Sequence, residues 1–434
     1  MKERLTLNRK EQNRLMVLNQ LERKEVGPGK AALLMQVSER QAWRLLAAYR
    51  KEGAEGLAHG NRGRKPVNAL PVELRERVVS LAGAKYAGFN HSHLTEKLGV
   101  QEQTHLSRSS VRRILLEKGL RSPRKRRSPL HRSRRERYPR EGMLLQTDGS
   151  PHDWLEGRGP KLCLIGAIDD ATNRVPYALF CEQETTEGYM RMLREIVLDK
   201  GIPLALYHDR HSIFEVSADT LPSLKEQLSG KEPKTQFGRL LDELGIASIV
   251  AHSPQAKGRI ERLWGTFQDR LVSELRLARA STLAEANLIL RDFLPEYNRR
   301  FAVAAREPES AYVKPDTGFK AEEYFCFKYQ RSVGADNVVR FNRRRLQVLP
   351  SADRLSYALC KVEVHSRLDG SLAVYYQGKR LETQSAPLET TLMRKDGLRP
   401  VAAVTPAKAL ASAGLSRKPV PDHPWRGQFR THLD

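Results

Sequence analysis

The chain has 434 residues, with 75 Lys and Arg against 51 Asp and Glu, a net charge of +24. At roughly 150 residues per domain this is room for two to four domains; no apolar run nears the ~18 residues of a membrane span, and the opening Met-Lys-Glu-Arg-Leu-Thr lacks the apolar core of a secretory signal. Cys163, Cys181, Cys326 and Cys360 form no CxxC pair, which excludes a disulfide scaffold, speaks against a thiolate zinc site and fits a reducing cytoplasm.

Residues 9–24 space Leu15, Met16, Leu18 and Leu21 as on a helix. A break follows at Gly27-Pro28-Gly29, then a short helix with Ala31, Ala32, Leu34 and Met35. Ser38 suits the N-cap of a third helix ending near Gly53, with Trp43, Leu46 and Ala47 predicted inward. Residues 1–58 thus read as helix-turn-helix, with Arg40, Gln41 and Arg44 placed to reach bases or phosphates. A plain three-helix bundle with a charged surface has the same pattern. Residues 59–70 are a Gly/Arg linker, either an arm for a minor groove or a basic tether.

Residues 71–120 repeat the helical theme. Leu74, Val78 and Leu81 mark one helix and 93–100 a second. Ser107 or Ser109 caps a third, with Val111, Ile114 and Leu115 inward and Arg112 and Arg113 outward. His91 and His93 are read as surface histidines, since no Cys pair stands at zinc-finger spacing. Residues 121–140 hold ten basic residues and one acidic. This linker, with Arg124, Lys125, Arg126 and Arg127, is predicted to lie along phosphates.

From residue 141 the pattern changes to strands. Strands are predicted at 143–148, 161–168 and 175–180, then helix 187–199, strand 203–208, helix 236–244 and strand 246–251. Ser253 and Pro254 open a long helix to about Ala278. The order βββαβαβα is a mixed α/β layer, closed by helix 282–299 at about residue 310. Asp148 ends the first strand, Asp209 follows the fourth, and Glu261 lies in the first turns of the long helix. That helix buries Ile260, Leu263, Trp264, Phe267 and Leu271, leaving Glu261 on the flank beside Gly265. Three acids from three segments make an oxygen-rich pocket for Mg²⁺ or Mn²⁺. Two such ions about 4 Å apart can activate a water or 3′-hydroxyl and stabilise the leaving oxygen of a phosphodiester. Carboxylates that close repel, which gives the metal a physical reason to bind. Asp153, Asp169 and Asp170 are rival acids, the last two in a turn. His208 and His211 are read as substrate-contacting or solvent-facing. Lys257 and Arg259 either hold the DNA backbone or are ordinary helix-face charge.

After Lys314-Pro315, residues 324–385 read as short strands at 338–341, 345–349, 358–365, 372–376 and 379–382. Asp369-Gly370 and Gln377-Gly378 supply turns. A small β-barrel over 320–390, presenting Arg340, Arg343, Arg344 and Arg345, makes a second DNA grip. Residues 391–434 read as a disordered tail with a docking element at Pro424-Trp425-Arg426.

Charge follows these divisions. Residues 1–140 carry 33 basic and 13 acidic side chains, residues 141–310 carry 21 and 26, and residues 311–434 carry 21 and 12. Two basic arms around an acidic middle suit a phosphate polymer, RNA as well as DNA, through counterion release.

The segments QTDGSPHDW, LYHDRH and HSPQAKGRIERLWGTFQDRL resemble those of DDE transposases with a retroviral-integrase-like core, most closely the ISNCY-type transposases of bacterial insertion sequences. The resemblance spans nearly the whole chain and is most specific around Glu261. It implies a multidomain protein: an all-α helix-turn-helix N-terminal region, an α/β RNase H-like catalytic core and a small C-terminal β-barrel. It implies that Asp148, Asp209 and Glu261 are the catalytic triad and the ligands of two Mg²⁺ or Mn²⁺ ions. The implied partner is double-stranded DNA, both element ends and target, bound by a dimer or larger homo-oligomer in the bacterial cytoplasm, with the nucleoid. Neither a membrane nor a small-molecule substrate is implied. The protein would bind terminal inverted repeats, hydrolyse the end phosphodiester and join the freed 3′-hydroxyl to target DNA. Asp209 and Glu261 are separated by 51 residues, more than in many integrases, and Ser212–Thr235 is read as the insertion. Two rivals are a DNA-binding regulator derived from such an enzyme and a nuclease that cuts without joining.

Overall fold

The computed structural model describes residues 7–58, 67, 69–123, 136–216, 233–251 and 257–386. Arg124, Lys125, Arg126, Arg127, Ser253, Pro254, most of 212–235 and the tail beyond 386 lie outside the described residues. The chain forms two compact units, Met1–Cys326 and Phe327–Asp434. No helix among the described residues is long and apolar enough to cross a membrane.

The first unit opens with α1 (Arg9–Glu22), α2 (Pro28–Met35) and α3 (Glu39–Glu52). Asn8 and Glu11 form a capping box on α1, Pro28 starts α2, and the Ser38 hydroxyl accepts from the Gln41 N–H at the head of α3. Gly53, with φ +65°, ends α3 in a conformation that suits a residue without Cβ. Leu18, Leu21, Ala31, Met35, Ala42 and Leu46 form the core. Trp43 and Ala47 are not in it: Trp43 is 50% exposed and Ala47 is exposed. The buried stripe of α3 is Ala42 and Leu46, i and i+4. Arg40, Trp43, Arg44 and Ala47 fall together on the opposite face.

A second three-helix group follows: α4 (Val72–Gly83), α5 (His91–Val100) and α6 (Arg108–Glu117). Asn90 caps α5 and Ser107 caps α6. Val78, Leu94, Leu98, Val111, Ile114 and Leu115 are buried, and Arg112 and Arg113 point outward. His91 and His93 are buried, contrary to the surface position predicted for them. For His93 the reason is tertiary, a bond to a long helix nearly two hundred residues further on, described below; His91 bonds the Leu120 backbone just beyond α6.

The α/β layer consists of β1 (Leu145–His152), β2 (Leu162–Asp169), β3 (Ala178–Cys181), α7 (Thr186–Asp199), β4 (Ala205–His208), α8 (Gln236–Glu243), β5 (Ala247–Val250), α9 (Gly258–Leu277) and α10 (Leu283–Phe301). The sheet order is β3-β2-β1-β4-β5. β1 and β3 each run antiparallel to the β2 between them; β4 runs parallel to β1, and β5 parallel to β4. This is the RNase H-like arrangement. Every residue of β2 is buried, because helices cover both faces of the sheet and the strand has no solvent side. Ile260, Leu263, Trp264, Phe267 and Leu271 of α9 join Leu162, Leu164 and Phe180 of the sheet and Leu290 and Tyr297 of α10 in one core. The inward face predicted for α9 is the observed one. Asp148, by contrast, does not end its strand. The ladder with β2 continues to His152 opposite Leu162, so the turn residues Gly149, Ser150 and Pro151 are held extended by cross-strand pairing.

The second unit contains β7 (Val338–Phe341), β8 (Arg344–Val348), β9 (Lys361–Arg367), β10 (Leu372–Tyr376), β11 (Lys379–Leu381) and β12 (Thr383–Ser385), with β6 (Cys326–Ser332) leading into it. Two sheets, β11-β10-β9-β6 and β12-β8-β7, enclose one core of Val339, Phe341, Val348, Val362, Val364 and Val374. This is the small barrel, with β6 an additional strand. Asn342 and Arg343, both at positive φ, make the two-residue turn between β7 and β8.

Candidate active site

β1 and β4 pair in parallel with Leu145 opposite Leu206 and Gln146 opposite Tyr207. Continuing that register by two residues brings Asp148 level with Asp209, just past the end of β4. Their carboxylates are joined by one ammonium. Lys257 Nζ donates to Asp148 Oδ1 at 2.7 Å and to Asp209 Oδ2 at 3.1 Å. The other Asp148 oxygen accepts from Trp264 Nε1 at 3.2 Å, and the other Asp209 oxygen from the His211 backbone N–H at 3.0 Å. Burial pushes the Asp209 carboxyl up, but the Lys257 ammonium outweighs it and leaves the group below the usual aspartate range. Burial also opposes the Lys257 charge, and the two aspartates overcome it, holding the lysine above its ordinary value.

Trp264 reaches Asp148 because of a glycine. Gly166 faces Asp148 across the β1–β2 ladder, and a Cβ there would meet the Trp264 ring at 3.1 Å. The indole therefore lies over bare backbone. Lys257 precedes α9 directly, and Lys257, Glu261, Trp264 and Gln268 follow at i, i+4, i+7 and i+11, one stripe of the helix. Lys257 and Trp264 bond Asp148, and Gln268 Nε2 reaches Ser150 Oγ at 3.5 Å. Glu261 thus belongs to the stripe that faces β1, with its side chain exposed. Among the described residues, no three His, Cys, Asp or Glu side chains stand close enough to hold a metal ion. The structure gathers two of the three expected acids and leaves Glu261 on the stripe above them.

A further acid was absent from the sequence reading. Glu184, between β3 and α7, accepts from Tyr189 Oη at 2.6 Å. Its carboxylate fills the space beside Gly149, where a Cβ would lie 2.5 Å away. Gly149, directly after Asp148, was the available signal.

The rival acids are tied up structurally. Asp153 accepts from the Gly157 N–H within a turn. Asp169 accepts from the Gly142 and Thr172 N–H groups. Asp170 accepts from Tyr138 N–H, Gln146 Nε2 and Arg259 Nε, the last at 2.7 Å. Arg259 is therefore an internal tie, and Lys257 an internal bridge. Neither is ordinary helix-face charge. His208 is also misread as substrate-contacting or solvent-facing: it is fully buried, stacked on Phe214, with Nδ1 2.7 Å from the Asp209 carbonyl oxygen and Nε2 2.7 Å from Ser248 Oγ. Burial holds its pKa below the usual imidazole value. His211 is exposed. The arginines and glutamine assigned to DNA on the helical groups and barrel (Arg40, Gln41, Arg44, Arg112, Arg113, Arg343 and Arg344) are all exposed.

The far end of α9 carries the second helical group. Asn90 Nδ2 donates to Asp269 at 2.7 Å, and Arg270 makes two bonds to Glu96 at 2.6 and 3.0 Å. Glu274 binds His93 Nε2 at 2.6 Å and Lys97 Nζ at 2.7 Å.

No protein-family model matches the chain. It is 34% identical over 357 residues to y4bF of Sinorhizobium fredii (strain NBRC 101917 / NGR234), a protein named as a transposase, covering 81% of this chain and 75% of the relative. It is 34% identical over 309 residues to the transposase for insertion sequence IS1202 of Streptococcus pneumoniae, covering 63% of this chain and 64% of that relative, just under two thirds of its length. A solved simian T-cell lymphotropic virus intasome in complex with the PP2A regulatory subunit B56 gamma covers 72% of this chain and 100% of its own matched chain, at 14% identity and a TM-score of 0.30. That match is too loose to bear on this chain.

Proposed function

The chain belongs to the insertion-sequence transposases, and we propose that it is a DDE enzyme of the ISNCY type that cuts the ends of its element and joins the 3′-hydroxyl to target DNA, with Asp148, Asp209 and Glu261 as the triad. The observation that carries this reading is the aspartate pair: two carboxylates, one on β1 and one just past the end of the adjacent parallel β4, converging on one cation. An all-oxygen donor set that already gathers around a positive charge fits Mg²⁺ or Mn²⁺ better than a softer metal. When bound, two such ions supply the activation of a water or 3′-hydroxyl and the stabilisation of the leaving oxygen. The chain's own residues supply placement. The β1–β4 register sets Asp148 against Asp209, the Trp264 indole and the His211 N–H each hold one carboxylate oxygen, and Glu261 shares its helix stripe with Lys257 and Trp264, which bond the pair.

Binding of the element ends falls to the exposed face of α3 with Arg40, Gln41 and Arg44, to α6 with Arg112 and Arg113, to the linker residues Arg124, Lys125, Arg126 and Arg127, and to Arg343 and Arg344. The domains are residues 1–58, 71–120, 141–310 and 320–390, working on DNA as a homo-oligomer in the bacterial cytoplasm. The test mixes the purified chain with labelled element ends and Mg²⁺. Asp148→Asn, Asp209→Asn and Glu261→Gln should each abolish cleavage and joining while end binding persists. Normal joining by Glu261→Gln, or a dead Asp153→Asn beside an active Asp148→Asn, overturns the triad. Cut but never joined ends from the unaltered chain would make it a nuclease.

A further inference from the structure

Lys257 has an unusual position for a lysine beside a helix start. A cation at that end opposes the helix dipole, and no described hydrogen bond joins the ammonium to the helix itself. The side chain is 10% exposed and turns inward, where it takes one oxygen from each of two carboxylates on neighbouring strands. The remaining oxygen of each aspartate is held by a rigid donor, an indole N–H and a backbone N–H. A lysine stem has four rotatable bonds, whereas the indole is packed in the core, so the ammonium is the donor of the cluster with the most freedom to swing away. Its charge balances half of the pair's charge of −2.

We propose that Lys257 is an exchangeable resident cation: its ammonium holds Asp148 and Asp209 in place until a divalent ion takes the space between them and expels it. The proposal rests on the reading of that aspartate pair as metal ligands. The physical argument is competition for one position. A divalent ion held by Asp148 and Asp209 would compete for the two carboxylate oxygens that Lys257 Nζ takes. Two cations that close repel, and the ion brings twice the charge to the same carboxylates. The lysine, with its flexible stem, is the group that can leave. The exchange has a cost to metal affinity, and it keeps the two carboxylates from repelling one another when no metal is bound.

The experiment follows Mn²⁺ binding to the full chain without DNA, by the paramagnetic resonance signal of the free ion. Lys257→Met should bind Mn²⁺ about 10- to 100-fold more tightly than the unaltered chain, the equivalent of losing one charge-assisted competitor. Lys257→Arg, which keeps the charge, should not tighten it. Adding Asp209→Asn to Lys257→Met should remove the tight site. A second measurement needs no variant: acylation of Lys257, read by mass spectrometry of its peptide, should rise severalfold when Mn²⁺ saturates the site. Equal affinity of Lys257→Met and the unaltered chain, or unchanged acylation at saturation, overturns the exchange while leaving the metal reading intact. Binding that is indifferent to Asp209→Asn in both backgrounds overturns the metal reading, and the exchange with it.

Discussion

Removing the Glu274 carboxylate should release the second helical group from α9. Glu274 accepts from His93 and Lys97, at 2.6 and 2.7 Å, and its side chain is 17% exposed. A hydrogen bond to a charged group contributes about 1.5–3 kcal/mol. Two such bonds set an upper figure of about 3–6 kcal/mol. Lys97 lies near the surface and recovers water when its partner is lost, so Glu274→Ala should weaken the dock by about 3 kcal/mol. The opening equilibrium of α5 would then shift by roughly 100-fold. Native-state hydrogen exchange reads this directly: α5 and α6 amides should exchange about 100-fold faster, while those of β2, buried in the sheet centre, keep their rates. The pH dependence has a definite sign. Burial pushes the Glu274 carboxyl up, and the bonds from His93 and Lys97 outweigh it, so the group titrates below its ordinary value of 4.5. Its contribution is present above pH 4.5 and is lost as pH falls through the lower folded value. Glu274→Gln should flatten that acid limb. A change of less than threefold in α5 exchange, or an equal rise in β2, refutes the reasoning.

Trp43→Ala should weaken binding to element ends by about tenfold and leave the melting temperature within the ordinary surface-substitution range of about 0.5 kcal/mol, because the ring is half exposed on the face of Arg40 and Arg44. Its salt slope should stay unchanged, whereas Arg44→Ala should reduce the log–log slope by about 0.9 if that arginine meets a phosphate; calorimetry and a salt titration of binding distinguish the two, and an unfolded Trp43→Ala protein refutes the assignment. Gly149→Ala should push the Glu184 carboxylate aside and strand the fully buried Tyr189 hydroxyl, at a cost of about 1–3 kcal/mol in thermal melting. An unshifted melt would show that Glu184 finds another way to keep that bond.

Local rules located most of the elements. Ser38 and Ser107 cap the helices they were assigned to, the βββαβαβα order holds, and the apolar spacing of α9 selects its buried face. Failures occur where a distant segment decides. His93 is buried by Glu274, 181 positions away, which no local periodicity contains. β1 runs on through Gly149-Ser150-Pro151 because β2 pairs with it, against the turn preference of those residues. Lys257 and Arg259 look like helix-end charge until the aspartates of the sheet are in place. Trp43 misleads for the opposite reason: size suggests burial, yet the face of α3 that packs on α1 and α2 is that of Ala42 and Leu46, flanked by Leu45 and Tyr49. Asp148 and Asp209 were legible as acids near strand ends, but their shared ammonium was not.

α9 is a single uninterrupted helix, with Glu261 near its start and Glu274, which holds the second helical group, near its end. The thirteen helical steps from Glu261 to Glu274 span roughly 20 Å at 1.5 Å per residue. Along duplex DNA at about 3.4 Å per step this is roughly six base pairs. On the function proposed above, the helix acts as a gauge block between the place where sequence is read and the place where the strand is cut. Its length is quantised. Inserting one residue would not lengthen the gap smoothly but would turn one end about 100° against the other, taking either Glu261 off the sheet or Glu274 off α5. A gauge of this kind sets the cut at a fixed offset from the bound repeat, and elements served by this chain should tolerate changes in repeat sequence far better than changes in the spacing between repeat and end.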